Sequence, residues 1–580
     1  MRTRYQFNLS IFISKLFSIV ITLFALATIG TTCIAIATPT PTPAPLTATP
    51  PLATSTPFPT STPSPPTATP EPQVLTFGLP ADPVRLDPAL SLDPTSALVS
   101  AQIYDTLVRF VPGTTRIEPA LATDWSVSPD GLTWDFALRD GVTFHDGVPL
   151  TAETVVWNFQ RWMDPDHPAH QGEFRYWEGM FGGFVGEQDL EDMSRSLIAS
   201  VEAPDARTFR LVLNKPFAPL LHNLAMDAFA ILSPEAVLSG GAAAYGLPDG
   251  PRPIGTGPFR LDDWRKGEVV LAGNQEYWAG PPALSRLIFR TIPDDRARYT
   301  ALENGEIDGM DSPTADDLAQ AGRDRGIQII MDPQPTTAFL NFNLDDEYLS
   351  KREVRQAIAH AINKPALARE AFGPTWQVAT QMLPPSLWGY DETVEDYPFD
   401  PDRARELLAA AGLPEPFEVD LWYPDRPRPY LPDPRVAAEA IARDLGAVGI
   451  AVTLETEHWS AYLVDRSQGA FSMWLLGWTG YNGDPDSFFF YHFGLPTPRE
   501  GNYVNEELRK LLRQGQILVD PEMREELYRA AAAVIRDDVP RLFLAHPQEP
   551  MLLSPRVVGF IPNPAGPESF FGVSVQTSEQ

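Results

Sequence analysis

Cysteine is almost absent from this chain, and its scarcity excludes several kinds of site. Among the 580 residues, Cys33 is the single cysteine, so no disulfide can form within the chain. The 8 histidines also leave little material for a transition-metal centre. His167 and His170 stand at a metal-like spacing, but Pro168 lies between them and no further ligand set is obvious. We therefore expect no metal site and no cofactor.

The short motifs of common catalytic sites are missing as well. The sequence contains no GxSxG nucleophile elbow, no HExxH zinc motif, no P-loop and no CxxC pair. An enzyme is one functional class to consider for a chain of this length, and these absences disfavour it. We expect no catalytic residues and no enzymatic activity.

Positive charge is also scarce. Lys and Arg total 44 against 75 Asp and Glu, which gives a formal net charge of −31. Such a charge opposes binding to nucleic acid and adsorption to anionic membranes, so we expect no nucleic-acid partner. The length of 580 residues is too great for a single hydrophobic core, and about three or four domains are expected.

The one long apolar run lies at the N-terminus. Residues 16–29 are uncharged and follow a few basic residues, as in the hydrophobic region of a signal peptide. The AIA sequence at residues 35–37 offers a cleavage site. Cys33 stands where a bacterial lipoprotein would be acylated, and the apolar stretch is also about long enough to remain as an uncleaved anchor. Residues 1–37 are therefore predicted to be a signal peptide or an N-terminal anchor.

A proline- and threonine-rich segment follows. Residues 38–72 consist almost entirely of Pro, Thr, Ser and Ala, with one charged residue, Glu71. Proline favours extended polyproline II, and the segment has too little apolar surface to fold. We predict a disordered, semi-rigid stalk that reaches up to about 3.1 Å per residue.

Residues 120–163 carry the most informative local pattern. Three Asp-Gly pairs within them offer the positive φ angles that tight turns need. Between the first two pairs, apolar residues alternate with others, which predicts a half-buried strand over residues 132–138. Thr151 is then placed to cap a helix that begins TAETVVWNF, with Glu153 in its first turn. The chain as a whole reads as mixed α and β.

Two further helices are predicted from the spacing of their apolar residues. One covers residues 96–107. The other covers residues 350–362, and its basic residues Lys351, Arg352 and Arg355 are expected on the outer, solvent-facing side.

These segments resemble one protein family. Residues 120–163 are similar to the signature segment of the family 5 extracellular solute-binding proteins, the peptide- and nickel-type receptors of ABC importers. IGTGPFR at residues 254–260, DPDRARELLAAAG at 400–412 and GWTGYNGDPDSF at 477–488 resemble further motifs of that family, in the family's order. The resemblance covers residues 74–575.

The resemblance implies the fold and its division. We expect an α/β, two-lobed periplasmic-binding-protein-like fold of type II, with an extra inserted domain and a hinge between the lobes. Lobe I would comprise residues 74–119, 251–335 and 545–575. The inserted subdomain would comprise residues 120–250, and lobe II residues 336–544.

The resemblance also implies ligand-binding residues in the GWTGYNGDPDSF block. In dipeptide-type receptors this block supplies an aromatic wall, here Trp478, and an aspartate that meets the ammonium group of the ligand. Alignment places Tyr481 at the position of that aspartate, and a tyrosine has a hydroxyl and a π face but no fixed charge. Asp484 or Asp486 would then have to substitute. These aspartates and Asn482 are equally suited to building the turn.

A second candidate lies in WYPDRPRPYLP, residues 422–432. This segment resembles the one whose arginine, ahead of Pro-Tyr, meets the ligand carboxylate in dipeptide receptors, and the matching residue is Arg428. A guanidinium suits a carboxylate because two parallel hydrogen bonds form at once. Arg426 is an equally plausible candidate.

The resemblance implies an exported receptor that closes two lobes around a small solute and delivers it to the permease subunits of an ABC importer. Peptides are the first expectation, and a nickel chelate or an oligosaccharide is the alternative that Tyr481 favours. We expect a monomer in the periplasm or on the outer face of the cell membrane. Its contact with the membrane would be through the N-terminal anchor alone.

Overall fold

The computed structural model describes residues 73–189, 192–323 and 326–576. The strands in these residues are β1 (Val74–Leu79), β2 (Val108–Phe110), β3 (Ile117–Pro119), β4 (Ala122–Val127), β5 (Thr133–Leu138), β6 (Ile198–Asp205), β7 (Thr208–Leu213), β8 (Phe259–Arg265), β9 (Glu268–Gly273), β10 (Arg286–Thr291), β11 (Gly309–Met310), β12 (Gln328–Pro333), β13 (Thr336–Phe342), β14 (Trp376–Val378), β15 (Phe417–Pro424), β16 (Ile450–Glu457), β17 (Met473–Thr479), β18 (Arg541–Leu553), β19 (Val557–Val558) and β20 (Ser574–Val575).

The α-helices in the same residues are α1 (Pro94–Ser100), α2 (Ala152–Met163), α3 (Arg175–Phe181), α4 (Leu220–Leu224), α5 (Pro234–Ser239), α6 (Asp295–Glu303), α7 (Ala315–Ala321), α8 (Arg352–Ala361), α9 (Lys364–Leu367), α10 (Pro401–Ala410), α11 (Pro434–Gly446), α12 (Trp459–Ser467), α13 (Asp486–Phe493), α14 (Glu506–Ile517) and α15 (Pro521–Asp538). The protein is thus mixed α and β, as predicted. The predicted N-terminal segment 1–37 and the stalk 38–72 lie outside the described residues.

Twelve strands form one large mixed sheet, and β18 joins its two halves. Residues 548–553 of β18 pair with β12, in the half that contains β11, β1, β10, β9 and β8. Residues 541–545 of β18 pair with β13, in the half that contains β17, β15 and β16. The chain crosses between the halves a second time at residues 334–335, between β12 and β13. The predicted lobe boundaries at residues 335 and 545 fall at these two crossings.

A separate four-stranded antiparallel sheet is inserted between β3 and β8. Its strand order is β4-β5-β7-β6, and α2 packs on it. The side chains between α2 and the sheet are large and buried, among them Trp134 and Phe136 of β5 and Phe159 and Trp162 of α2. Aromatic side chains bury about 150–250 Å² each, so this cluster accounts for much of the stability of the inserted region.

The local predictions for residues 120–163 are confirmed. The predicted strand is β5, and its inward residues Trp134, Phe136 and Leu138 are buried. The glycines of the three Asp-Gly pairs all have φ between 72° and 85°. The hydroxyl of Thr151 accepts a hydrogen bond from the backbone N–H of Thr154, which caps α2.

The IGTGPFR motif forms a close backbone contact ahead of β8. A Cβ atom on Gly255 would lie 2.2 Å from the carbonyl oxygen of Ile103, and one on Gly257 would lie 2.6 Å from the carbonyl carbon of the same residue. The N–H of Gly257 donates to that carbonyl oxygen at 2.9 Å. The two glycines are therefore needed for close packing, because a side chain at either position would separate the two segments.

Two predictions about helices are wrong. The helix predicted over residues 96–107 ends at Ser100, because the carbonyl groups of Gln102 and Ile103 accept from Phe259 and Gly257 instead of continuing the helix. Arg355 of α8 was expected to face solvent, but it is 4% exposed. Its guanidinium donates to the backbone carbonyls of residues 349, 350, 538 and 539, which lie near the end of α15 and ahead of α8.

Candidate ligand-binding site

Three parallel strands of the large sheet end at the same edge. β15 runs parallel to both β16 and β17, so the carboxyl ends of the three strands at Pro424, Glu457 and Thr479 lie side by side. Ligands of open α/β sheets bind in the crevice outside such carboxyl ends. The segments that leave this edge carry the predicted site residues Arg428 and Tyr481. This edge is therefore the candidate site.

Arg428 lies in the loop after β15. Its guanidinium carbon is 3.4 Å from the centroid of the Trp459 ring, at the start of α12. Its Nε and Nη2 atoms are buried, and neither has an acceptor among the described residues. Arg426 is exposed and pairs with its neighbour Asp425 at 3.3 Å. Of the two candidate arginines, Arg428 is thus the one with buried donors that lack an acceptor among the described residues. Leaving buried donors without a hydrogen bond costs free energy.

Trp478 forms an aromatic wall at the same edge. Its ring stacks on Tyr491 of α13, with centroids 4.2 Å and planes 20° apart. The guanidinium carbon of Arg499 lies 4.8 Å from the Tyr491 ring centroid. His492 meets Trp478 edge-on at 4.9 Å, and burial lowers the pKa of His492 to about 4, so its ring is neutral at pH 7. The buried Nε1 of Trp478 lacks an acceptor among the described residues.

Tyr481 stands just beyond this wall and is 58% exposed. Tyr176 of α3, in the inserted region, lies within electrostatic range of Tyr481. Burial raises the pKa of the Tyr176 phenol, and the nearby acidic groups of Asp227, Tyr481 and Asp93 raise it further. Tyr481, Tyr176 and Asp227 therefore lie near one another, although they come from three distant parts of the chain.

Asn482 and Asp484 are held by contacts within the protein. The Asn482 amide donates to Asn223 Oδ1 at 2.7 Å. Asp484 is fully buried and accepts two hydrogen bonds of 2.8 Å from Arg524 of α15, while Nδ1 of His222 lies 3.0 Å from it. Burial alone would raise the pKa of Asp484, but the charges of Arg524 and His222 outweigh burial and hold that pKa well below its usual range. This network fastens the loop after β17 to α4 and α15.

Asp486 is also buried, at the start of α13. Burial and the charge of Asp484 raise the pKa of Asp486 to about 7. One of its oxygens accepts from the Gln516 amide at 3.2 Å. Both aspartates that were considered as substitutes at the position of Tyr481 are thus enclosed by other parts of the protein.

A cavity of about 330 Å³ is lined by residues from two parts of the chain, 88–277 and 559–572. Its wall includes the apolar or aromatic side chains of Tyr104, Phe110 and Phe571 and the carboxyl groups of Asp105 and Asp227. Asp105 accepts hydrogen bonds from the side chains of Thr256, Tyr277 and Trp278, all at 2.8–2.9 Å. Three side chains therefore donate to Asp105, whereas the hydrogen bonds to Asp227 come from the backbone N–H groups of residues 227 and 228.

The side chains of His167 and His170 contact the preceding helix α2. His170 Nδ1 contacts the Arg161 carbonyl oxygen at 2.8 Å, and His167 packs edge-on against Trp157 at 5.3 Å. Within residues 73–189, 192–323 and 326–576, no group of three or more His, Cys, Asp or Glu side chains is arranged to hold a metal ion. Across the same ranges, no helix has the length and apolar character needed to cross a membrane.

Several residues at the site were not found from the sequence. Trp459 directly follows the carboxyl end of β16, so the strand-end rule could have identified it. Tyr491 carries no comparable signal, because its role comes from stacking on Trp478. Arg524 and His222 are found at Asp484 only through the folding of distant segments.

The comparisons with known proteins identify the family. Residues 116–497 match the family model described as "Bacterial extracellular solute-binding proteins, family 5 Middle". The chain belongs to this family. The predicted family membership, the two-lobed fold and the solute-binding class are thereby confirmed.

Individual relatives cover nearly all of the described chain. The heme-binding protein A of Haemophilus influenzae is 35% identical over 85% of this chain and 90% of its own length. The dipeptide-binding protein of Escherichia coli is 34% identical over 82% of this chain and 90% of its own length. Among solved structures, HbpA2 of Haemophilus parasuis has a TM-score of 0.80 and 33% identity, with 87% of this chain and 100% of that chain covered. The periplasmic binding protein DppA of Helicobacter pylori in complex with a peptide has a TM-score of 0.60 and 32% identity, with coverages of 87% and 98%.

Proposed function

We propose that this protein is the extracytoplasmic receptor of an ABC importer and that it captures short peptides between its two lobes. The observation that carries the proposal is Arg428, which lies in the loop after β15 at the edge where three parallel strands end, and whose buried Nε and Nη2 donors have no acceptor among the described residues. The carboxylate at a peptide C-terminus is the acceptor that a guanidinium fits best. The relatives named as dipeptide-binding proteins support the same ligand class.

In this proposal the residues of the edge have distinct roles. Arg428 binds the C-terminal carboxylate, and Trp459 holds its guanidinium in place through a cation–π contact. Trp478 and Tyr481 form the wall along the ligand. Asn482 and Asp484 position the loop that carries Tyr481, since their hydrogen bonds go to Asn223 and Arg524. Closure about the two crossings at residues 334–335 and in β18 brings the opposite lobe onto the ligand.

A non-peptide solute is the second candidate. The observation in its favour is Tyr481, which provides no charge for a peptide ammonium group at its own position. A nickel chelate and an oligosaccharide are the alternatives considered from the sequence. A related structure holds a nickel–histidine complex, and another relative is named a heme-binding protein. An enzyme receives no support from the relatives, which are named as binding proteins.

The Arg428→Ala variant tests the peptide proposal. We expect it to weaken binding of a dipeptide with a free C-terminus by about 10- to 100-fold, because two charge-assisted hydrogen bonds are lost. Isothermal titration calorimetry would measure the dissociation constants for the free dipeptide and for its C-terminal amide. The wild type should prefer the free acid, and the variant should bind the two forms equally.

Arg426→Ala is the matched control, because it removes the same charge from the same loop at an exposed side chain already paired with Asp425. It should leave both dissociation constants within about twofold of wild type. Equal losses of affinity in the two variants would show that Arg428 acts through its positive charge in general and not through a specific bond to the carboxylate. A wild-type protein that binds no member of a dipeptide library would show the peptide assignment to be wrong and leave the solute-binding class intact.

We also propose that the receptor is tethered to the outer face of the cell membrane through residues 1–37, with residues 38–72 as the stalk, and that it works as a monomer. The basic and apolar N-terminal sequence and Cys33 support tethering. The full-length gene would be expressed in bacteria and its product separated by detergent phase partitioning. A lipoprotein would enter the detergent phase, and its Cys33→Ser variant would enter the aqueous phase. An uncleaved helix would keep Cys33→Ser in the detergent phase, and a freely released wild type would show tethering to be wrong.

A further inference from the structure

Asp227 is a charged group that the roles assigned above do not use. It begins a single 3-10 turn, Asp227–Phe229, a short distance after α4. Its carboxyl group lines the cavity of about 330 Å³, a volume in the range of small-molecule sites. No Arg, Lys or His among the described residues forms an ion pair with it within 4.0 Å, and the groups that favour its ionised form are the backbone N–H groups of residues 227 and 228.

Ionisation of the Asp227 carboxyl group is unfavourable when no cation is close to it. Burial raises the pKa of Asp227 to about 6, because the ionised form has lost most of its water and gained no cation. Among the other lining residues, Asp105 adds a second carboxyl group, and the guanidinium of Arg109 is already bound to Glu118 at 2.8 Å. Asp227 is partly buried, and a partly buried charge without a cationic partner is more typical of functional sites than of packing, since proteins otherwise pair or remove such a charge.

The cavity adjoins the loop that carries Tyr481. Gly483 of this loop lies against the lining residue Ala565, since a methyl group added at Gly483 would lie 3.0 Å from Ala565 Cβ. The amide of Asn482 is bonded to Asn223, near the start of the segment that leads to Asp227. Tyr176 is affected by both Asp227 and Tyr481. Asp227 and Tyr481 thus both lie within electrostatic range of Tyr176, and the loop of Tyr481 adjoins the cavity that Asp227 lines.

We infer that Asp227 binds an alkylammonium group of the captured solute, with Tyr481 and Tyr176 beside it. This inference rests on the proposed function as a solute receptor. The ammonium group supplies the missing cation, and the aromatic walls of Tyr104, Phe110 and Phe571 accept the apolar stem that bears it. The same chemistry is offered by a peptide N-terminus and by a lysine side chain.

Asp227→Asn tests the inference, because it keeps the shape of the side chain and removes its charge. The probes are a dipeptide with a free N-terminus, its N-acetyl derivative, and an N-acetyl dipeptide that contains lysine. If the peptide N-terminus is bound, wild type prefers the free dipeptide by about 10-fold or more, and the variant loses this preference. If a lysine side chain is bound, the preference and its loss appear instead for the lysine peptide.

The control is Glu173→Gln, which removes a negative charge from an exposed side chain that pairs with Arg175 and does not line the cavity. It should retain the preference for the ammonium-bearing probe. Equal losses for all three probes in Asp227→Asn would indicate a structural role and overturn the inference. So would an unchanged preference in that variant.

A separate measurement keeps this inference apart from the peptide proposal. Thermal melting with millimolar hexylamine requires no peptide. Wild type should be stabilised, and Asp227→Asn should not, even if no dipeptide binds. If hexylamine stabilises both proteins equally or neither, and the peptides show no charge preference, Asp227 is not an ammonium site.

Discussion

Replacing Arg524 with alanine is expected to lower the free energy of unfolding by about 3–5 kcal/mol. The side chain of Arg524 is 3% exposed and that of Asp484 is fully buried. The same guanidinium donates to the Gly515 carbonyl at 2.8 Å and the Tyr528 hydroxyl at 2.9 Å. Without it, Asp484 remains as a buried anion beside Asp486, with His222 as its remaining partner. The loop after β17 loses its main attachment to α15.

Urea unfolding followed by tryptophan fluorescence would measure this loss. Arg529→Ala is the matched control, because Arg529 lies on the same helix, is half-exposed, and pairs with Glu525 across one turn. It should change the free energy of unfolding by less than about 1 kcal/mol. The double variant Arg524→Ala/Asp484→Asn should be less destabilised than the sum of its single variants, since it no longer buries an uncompensated charge. Equal effects of Arg524→Ala and Arg529→Ala would contradict the assigned network.

The protein is expected to lose stability as the pH rises from 6.5 to 9. Burial raises the pKa of Asp332 to about 7, of Asp486 to about 7 and of Glu568 to about 8. In the unfolded chain these groups titrate near 4, so within this window the folded state binds more protons than the unfolded state. Stability falls with pH wherever that is true. The expected loss is on the order of 1–2 kcal/mol for each group.

The buried histidines oppose this decline only at the lower end of the window. Burial lowers the pKa values of His145, His492 and His546 to about 4, so these rings are neutral in the folded protein throughout, whereas in the unfolded chain they lose their remaining protons between about pH 6.5 and 7.5. Burial opposes ionisation of Glu500, but the charges and hydrogen bonds of His492 and Arg541 hold its pKa at about 2, so it is ionised throughout.

Thermal melting between pH 6.5 and 9 would measure the loss. Glu568→Gln should flatten the decline most, because Glu568 has the highest pKa of the three and its neutral form resembles glutamine. Glu118→Gln, at a half-buried side chain of β3 that pairs with Arg109, should leave the slope unchanged. A melting temperature that rises or stays constant across this range would contradict the raised pKa values.

The sequence by itself determined the features that depend on a few neighbouring residues. The Asp-Gly turns, the alternation in β5 and the Thr151 cap follow from backbone conformations and hydrogen bonds that residues make with near neighbours, and each was found where it was predicted. The ordered motifs identified the family, and with it the fold. They also singled out Arg428 and Trp478, which the structure places at the shared strand edge.

The tertiary structure alone decided which of the candidate side chains have partners within the protein. Asp484 and Arg428 look alike in the sequence as charged loop residues. Folding brings Arg524 and His222 to Asp484, while no acceptor among the described residues reaches the buried donors of Arg428. Arg355 was misplaced for the same reason, since its carbonyl partners at residues 538 and 539 are close only after the chain has folded. Pairing over such separations is set by chain topology, which no local pattern of residues encodes.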